Sequence, residues 1–396
     1  MLFRVSILAL LLLQPGLNAA DAAALTVVTA RPAPELNALF EKSEGWIGGD
    51  GVYSVRLTAD RILWLFADTW VGKVEGGKRT DATIVNNTAA VQDKEGKSPT
   101  ARFFIRKDAT GNPQALLTPA KGGSWFWPQA AAIHGDRLYL FLTQVEKSGE
   151  PGAFGFRLIG QWLAVVSNPL DAPTQWLVKQ VRLPYAEFRP EYELTFGAAL
   201  LRDGKYLYIC GVADQVEKGW RHKRMVVARA PLDSVEDFST WRFYSEGRWD
   251  TEHRRASRLA DGLANEYSVS YHRGLGCYVL VYTENGLSPR ILCRTAKSPW
   301  GPWSGATLIY ECPEAGWDKK IFCYAAKAHP ELAKADELVI SYVANSFDFW
   351  QVAADARLYW PRFIRVKVKQ ESGIRHRESG AAGARPTRGR ERVNFP

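Results

Sequence analysis

The chain has 396 residues, 46% of them hydrophobic, with 15 tryptophans, 5 cysteines and a formal net charge of +9. That is ample apolar material for a large core, which excludes a natively unfolded chain. Three of the nine net charges come from the C-terminal stretch ESGIRHRESGAAGARPTRGRERVNFP, so the basic balance is partly a tail property and gives no argument for a nucleic-acid partner.

In residues 1–24, Arg4 precedes an apolar run over 5–13 and a small-residue stretch, the pattern of a secretory signal peptide. The run is too short to span a bilayer, and no later stretch approaches the roughly 18 apolar residues that a span requires. We therefore expect an exported protein, secreted or periplasmic, with residues 25–369 as one domain and 370–396 as a disordered basic tail.

Residues 46–70, WIGGDGVYSVRLTADRILWLFADTW, read as a hairpin with an aspartate at each open end. A turn centred near Ala59 makes the numbers of facing residues total about 118, which sets Asp50 opposite Asp68. Facing Cβ atoms lie roughly 4.5–5.5 Å apart, so one carboxyl should keep its proton while the other ionises. That division of labour serves acid and nucleophile or base chemistry on a glycosidic bond. The structural alternative makes Asp68 a strand-end cap and Asp50 a turn residue.

Four similar hairpins follow, over residues 127–144, 196–211, 266–284 and 324–345. Between them lie further strand pairs, at 162–166 with 176–181, 225–230 with 241–244, and 291–296 with 306–310. No amphipathic helix of any length interrupts them. The spacing predicts an all-β fold, a five-bladed β-propeller with four strands per blade. A pair of stacked sandwiches would not explain why small and polar residues recur at the same end of each first hairpin.

In a propeller those ends pool around one channel mouth. The mouth collects Asp50, Asp68, Glu193 and Glu266 as acids, with Trp125, Trp127, Gln129, Gln144, Asn265, Glu284, Tyr324 and Asn345 as binding residues. Carboxylates and amides take sugar hydroxyls, and ring faces take sugar C–H faces. Glu193 and Glu266 serve equally well in salt bridges, Trp125 and Trp127 serve equally well between blades, Trp64 reads as core and His329 as structural. Asn86-Asn87-Thr88 is a glycosylation sequon. The five cysteines show no metal-ligand spacing and are open to pairing or to burial as thiols. No zinc motif, phosphate loop or serine elbow is present. No cofactor is required, although the clustered oxygens suit a structural calcium ion in the channel.

WIGGDGVYSVRL with LWLFADTW resembles the opening blade of exported five-bladed propeller proteins, a family long uncharacterised and related to the endo-D-arabinanases of glycoside hydrolase family 183. The likeness continues through FWPQAAAIHGDRLYLF, FGAALLRDGKYLYICG and ELVISYVANS, over about residues 45–346. It implies catalytic carboxylates at Asp50 and Asp68, with Ala67 where those relatives usually have glycine. Five-bladed arabinanases and xylosidases use three acids on three blades, and likeness to them would select Asp50, Glu193 and Glu266. The expectation is a monomeric glycoside hydrolase acting on a polysaccharide or oligosaccharide. Its rival is a propeller that binds glycans without cleaving them.

Overall fold

The computed structural model describes residues 25–370 apart from 94–98, 151 and 153. The expected signal peptide and tail lie outside the described residues, except that Gln370 ends the last strand.

Every expected hairpin forms. Tyr53–Arg56 pairs with Arg61–Phe66, Ser124–His134 with Arg137–Lys147, Tyr192–Asp203 with Tyr206–Glu217, Tyr267–His272 with Cys277–Thr283, and Ile321–Ala328 with Glu337–Ser346. Each pair belongs to an antiparallel sheet of four or more strands, numbered here one to five in that order, and the strand named first in each pair is called the first strand of its sheet. In sheet five the third strand is Pro361–Gln370 and the fourth is the N-terminal Leu25–Pro32, so the two ends of the chain pair with each other.

The first strand of each sheet touches the first strand of the next, from sheet one through sheet five. The ring closes where Ser54 Oγ lies 2.7 Å from His329 Nδ1 and where Lys327 Nζ sits 4.3 Å from the centroid of the Tyr53 ring. Apolar side chains fill the spaces between neighbouring sheets. Leu63, Phe126 and Leu140 pack between sheets one and two, Phe141, Phe196 and Phe243 between two and three, and Tyr208, Tyr267 and Tyr282 between three and four. A larger cluster joins sheets four, five and one through Val281, Phe363 and Trp64.

Phe40, just beyond the short helix Pro34–Asn37, locks sheets five and one together. Its ring stacks on Phe363 at 5.3 Å and meets the edge of Trp64 at 5.0 Å. All five cysteines are buried free thiols.

Sheet one departs from the simple hairpin expected. Its two inner strands continue past the aspartates as Glu44–Gly49 and Thr69–Glu75, which join Lys78–Val85 in a separate three-stranded sheet. Asp50 and Asp68 therefore sit at a break within a long hairpin, not at its open end. The reason is a left-handed kink: Gly51 has φ 78° and Val52 φ 51°, values that end regular pairing. Facing numbers keep the total of 118 on both sides of it, with Tyr53 opposite Leu65 and Gly49 opposite Thr69.

Removing the ring that couples the first and last sheets tests this packing. Phe40→Ala is expected to cost about 3–5 kcal/mol, the usual range for an aromatic lost from a core. Denaturant melting should show a lower midpoint with an unchanged slope; an unaltered midpoint would show that Phe40 does not hold the ring closed.

Candidate active site

The break in sheet one opens onto a central cavity of about 1670 Å³, walled by all five sheets. Across the break the backbones of the two aspartates remain joined. Asp50 N–H donates to the Asp68 carbonyl at 3.2 Å, and Ala67 N–H donates to the Asp50 carbonyl at 3.0 Å. The two side chains thus enter the cavity from one rung of the sheet.

Separate donors hold each carboxyl. Asp50 Oδ2 accepts from the Tyr324 hydroxyl at 2.6 Å and the Tyr359 hydroxyl at 2.9 Å, while Asp50 Oδ1 is buried without a partner. Asp68 Oδ1 accepts from Trp127 Nε1 at 2.8 Å and Asn86 Nδ2 at 3.1 Å. Asn345 Nδ2 in turn donates to the Tyr324 hydroxyl at 3.3 Å.

Strain accompanies this aim. Val52, Ala325 and Tyr359 have φ of 51°, 60° and 65°, in a region that costs non-glycine residues of order 1–3 kcal/mol each. Each adjoins or is a residue that places or holds Asp50. Gly48 makes room for the third: a Cβ there would lie 2.8 Å from the Tyr359 carbonyl oxygen. Bulges in the first strands of sheets two, three and five, at Pro128/Ala131, Phe196/Ala199 and Tyr324/Lys327, interrupt regular alternation around the same centre.

Burial is the largest influence on both aspartates. It combines with the charges of Asp68 and Glu266 to push Asp50 up to about 8, against the pull of its two tyrosines. Asp68 rises to about 6, held back by Trp127 and Asn86. Below them Glu266 accepts from Lys327 Nζ, a nearly inaccessible ammonium whose pKa burial lowers. His329 is held neutral, pushed down to about 3 by burial and then by the Lys327 charge.

Ten of the twelve residues expected at the site line this cavity: Asp50, Asp68, Glu193, Glu266, Trp125, Trp127, Gln129, Asn265, Tyr324 and Asn345. Gln144 does not. It faces Phe126 across the hairpin, and its amide is spent on Ser124 Oγ at 2.9 Å and Trp162 Nε1 at 2.8 Å; its neighbour Thr143 lines the cavity instead. Glu284 is also turned away, binding Arg290 with both oxygens, at 3.0 and 3.2 Å. Glu193 stands beside Arg221 at 3.9 Å and opposite Asp214, and burial raises its pKa.

Asn86, Tyr359 and Lys327 complete the site without a motif to announce them. Asn86 reads as a sequon, yet its amide is engaged by Asp68. For a channel calcium, no group of three or more His, Cys, Asp or Glu side chains among the described residues is placed to hold a metal ion.

A family model described as a domain of unknown function, DUF5005, matches residues 34–369. The chain belongs to this family. The DUF5005 domain is 24% identical to the notoamide biosynthesis cluster protein J' of Aspergillus versicolor over 278 residues, covering 62% of this chain and 73% of that protein. Its fold is similar to that of a putative hydrolase from Bacteroides ovatus, with TM-score 0.68 and 20% identity over 87% of this chain and 93% of the other. A GH43_1 enzyme from Xanthomonas citri aligns at TM-score 0.44 and 14% identity, over 85% and 93% of the two chains.

The raised aspartates have a consequence for stability. When the DUF5005 domain unfolds, each carboxyl ionises near its ordinary value of about 4. The folded state holds protons to higher pH, so stability is greatest below that value and falls as pH rises toward 8. Asp50→Asn removes the loss, and its melting temperature should exceed that of the wild type by a margin that grows from pH 5 to pH 8. A margin independent of pH would show that Asp50 does not retain its proton.

Proposed function

We propose that the five sheets are the blades of a propeller and that the chain is an exported glycoside hydrolase, cleaving an oligosaccharide or polysaccharide in its central cavity. The observation that carries this reading is the Asp50 and Asp68 pair, opposed on one rung beneath a cavity rich in amides and aromatic rings. The likeness of the first sheet to endo-D-arabinanases of glycoside hydrolase family 183 supports the same pair, and puts arabinan first among substrates to try.

The surroundings divide the roles. Asp50 keeps its proton at neutral pH and is held in place by two tyrosine hydroxyls, which suits it to act as the acid toward the leaving oxygen. Asp68 ionises first, because two N–H donors favour its charged form. It then attacks the anomeric carbon directly or draws a proton from a water that does. Proton donation and attack both come from carboxyls, so the reaction needs neither metal nor cofactor.

Reducing-end assays on a panel of arabinan, arabinogalactan and xylan test the reading. Asp50→Asn and Asp68→Asn should each lower turnover by about 10²–10⁴-fold. The wild-type rate should be bell-shaped in pH, falling as acid protonates Asp68 and again as base deprotonates Asp50, with both limbs belonging to the pair. Glycan binding without product from the wild type would replace the hydrolase with a lectin-like propeller.

A further inference from the structure

Lys327 is 2% exposed, an extreme position for an ammonium. A bulge in its strand puts it there. Along a regular strand residues three apart point to opposite faces, yet Tyr324 and Lys327 both turn to acids that line the cavity. Between them lies Ala325 at φ 60°, and the pairing of Tyr324 with Val343 and of Lys327 with Ser341 takes three steps along one strand against two along the other. The extra residue returns the two side chains to one side. Tyr324 then binds Asp50, and Lys327 binds Glu266.

The ion pair adds little to stability by itself, because desolvating two charges offsets most of their attraction. Its position does more. Lys327 Nζ lies 4.3 Å from the ring centroid of Tyr53, three residues from Asp50. Burial lowers the pKa of the ammonium, against the charges of Glu266 and then of Asp50. Other groups around Asp50 are already engaged. Asp68 holds Trp127 and Asn86, the Tyr324 and Tyr359 hydroxyls donate to Asp50 itself, and the Tyr53 hydroxyl donates to Gln129. Arg79, behind Tyr359, gives its guanidinium to backbone carbonyls, those of Ile47 and Leu358 among them. His329, two residues beyond Lys327, is held neutral. Lys327 is therefore the cation to which Asp50 would respond if Glu266 did not occupy it, and a cation beside a carboxyl favours the ionised form.

We infer that Glu266 and Lys327 are positioning residues for the proton on Asp50: Glu266 cancels the ammonium and so keeps Asp50 in its acid form. The ammonium acts back on Glu266, whose bare charge would oppose ionisation of Asp50 further. The balance of the pair fixes the pH at which Asp50 gives up its proton. This deepens the hydrolase reading and rests on it for the use made of that proton.

Titrating the free protein tests the inference apart from hydrolysis. With aspartate labelled by carbon-13 at the side-chain carboxyl, NMR follows Asp50 through the resonance that Asp50→Asn removes. Glu266→Gln keeps an acceptor for Lys327 but removes the charge, so the upper titration of the Asp50 and Asp68 pair should fall by about 1–3 pH units. Adding Lys327→Met removes the ammonium as well, and the titration should return most of the way to the wild-type value. An unmoved titration in Glu266→Gln would overturn the inference, even with activity lost, since Glu266 would then act on the substrate directly. So would a double variant that titrates like Glu266→Gln, because the ammonium would then have no reach to Asp50. Where the double variant does not fold, the titration of Glu266→Gln decides alone. Failure of the hydrolase reading shows differently, as a wild type that yields no new reducing ends while the variants titrate as expected.

Discussion

Apolar packing in this protein runs between neighbouring sheets, and everything else follows from that. Each sheet buries one face against the sheet before it and the other against the sheet after it, so the apolar packing does not depend on a core at the centre of the ring. First strands are thereby free to carry carboxylates, amides and hydroxyls on their inner edges. The same arrangement makes closure indispensable. Pairing Leu25–Pro32 with Pro361–Gln370 and seating Phe40 between sheets five and one converts a row of sheets into a ring with a common middle.

The rigidity of that ring sustains features that would not survive alone. A buried carboxyl beside a second one, a nearly inaccessible ammonium, and three non-glycine residues at positive φ all gather around the break in sheet one. Each raises the free energy of the folded state, and each is tied to a neighbour that fixes its geometry. Val52 is wholly buried in the largest core cluster, and the Tyr359 segment is held by Arg79, whose guanidinium donates to the Leu358 carbonyl at 2.7 Å. Concentrated strain and displaced protonation set this place apart from the otherwise regular β fold around it.

How much of this the sequence discloses depends on the range of the interaction. Hairpins are local, and their alternation and turns locate all five sheets; the register that faces Asp50 with Asp68 survives even the kink between Asp50 and Tyr53. What strand periodicity cannot reveal is phase after a bulge. Gln144 has the right chemistry and the right neighbourhood, yet the pleat turns Thr143 to the cavity and Gln144 to Trp162. Glu284 is lost to a nearby arginine, a competition that composition alone does not rank. Tyr359 and Lys327 are distant in sequence from the acids they hold, Asp50 and Glu266, and only the packing of neighbouring sheets brings them there. The continuation of the hairpin into Glu44–Gly49 and Thr69–Glu75 is hidden for a related reason, because its glycines weaken the strand signal while permitting the close approach that the site needs.

The two carboxyls acquire different characters from partners of different kinds. Hydroxyl donors from two tyrosines reach a single oxygen of Asp50 and leave the other oxygen unpartnered, whereas indole and amide donors converge on Asp68. Phenols held neutral by burial and by the nearby acids can give a hydrogen bond to Asp50 in either of its protonation states, so they orient the group without forcing it to ionise. Trp127 and Asn86 belong to sheet two and to the entry of the third strand of sheet one, the side on which the aromatic lining begins. Sheet five and its neighbouring Tyr359, sheet two, and Asn86 of sheet one thus supply the donors that give the two aspartates their separate characters.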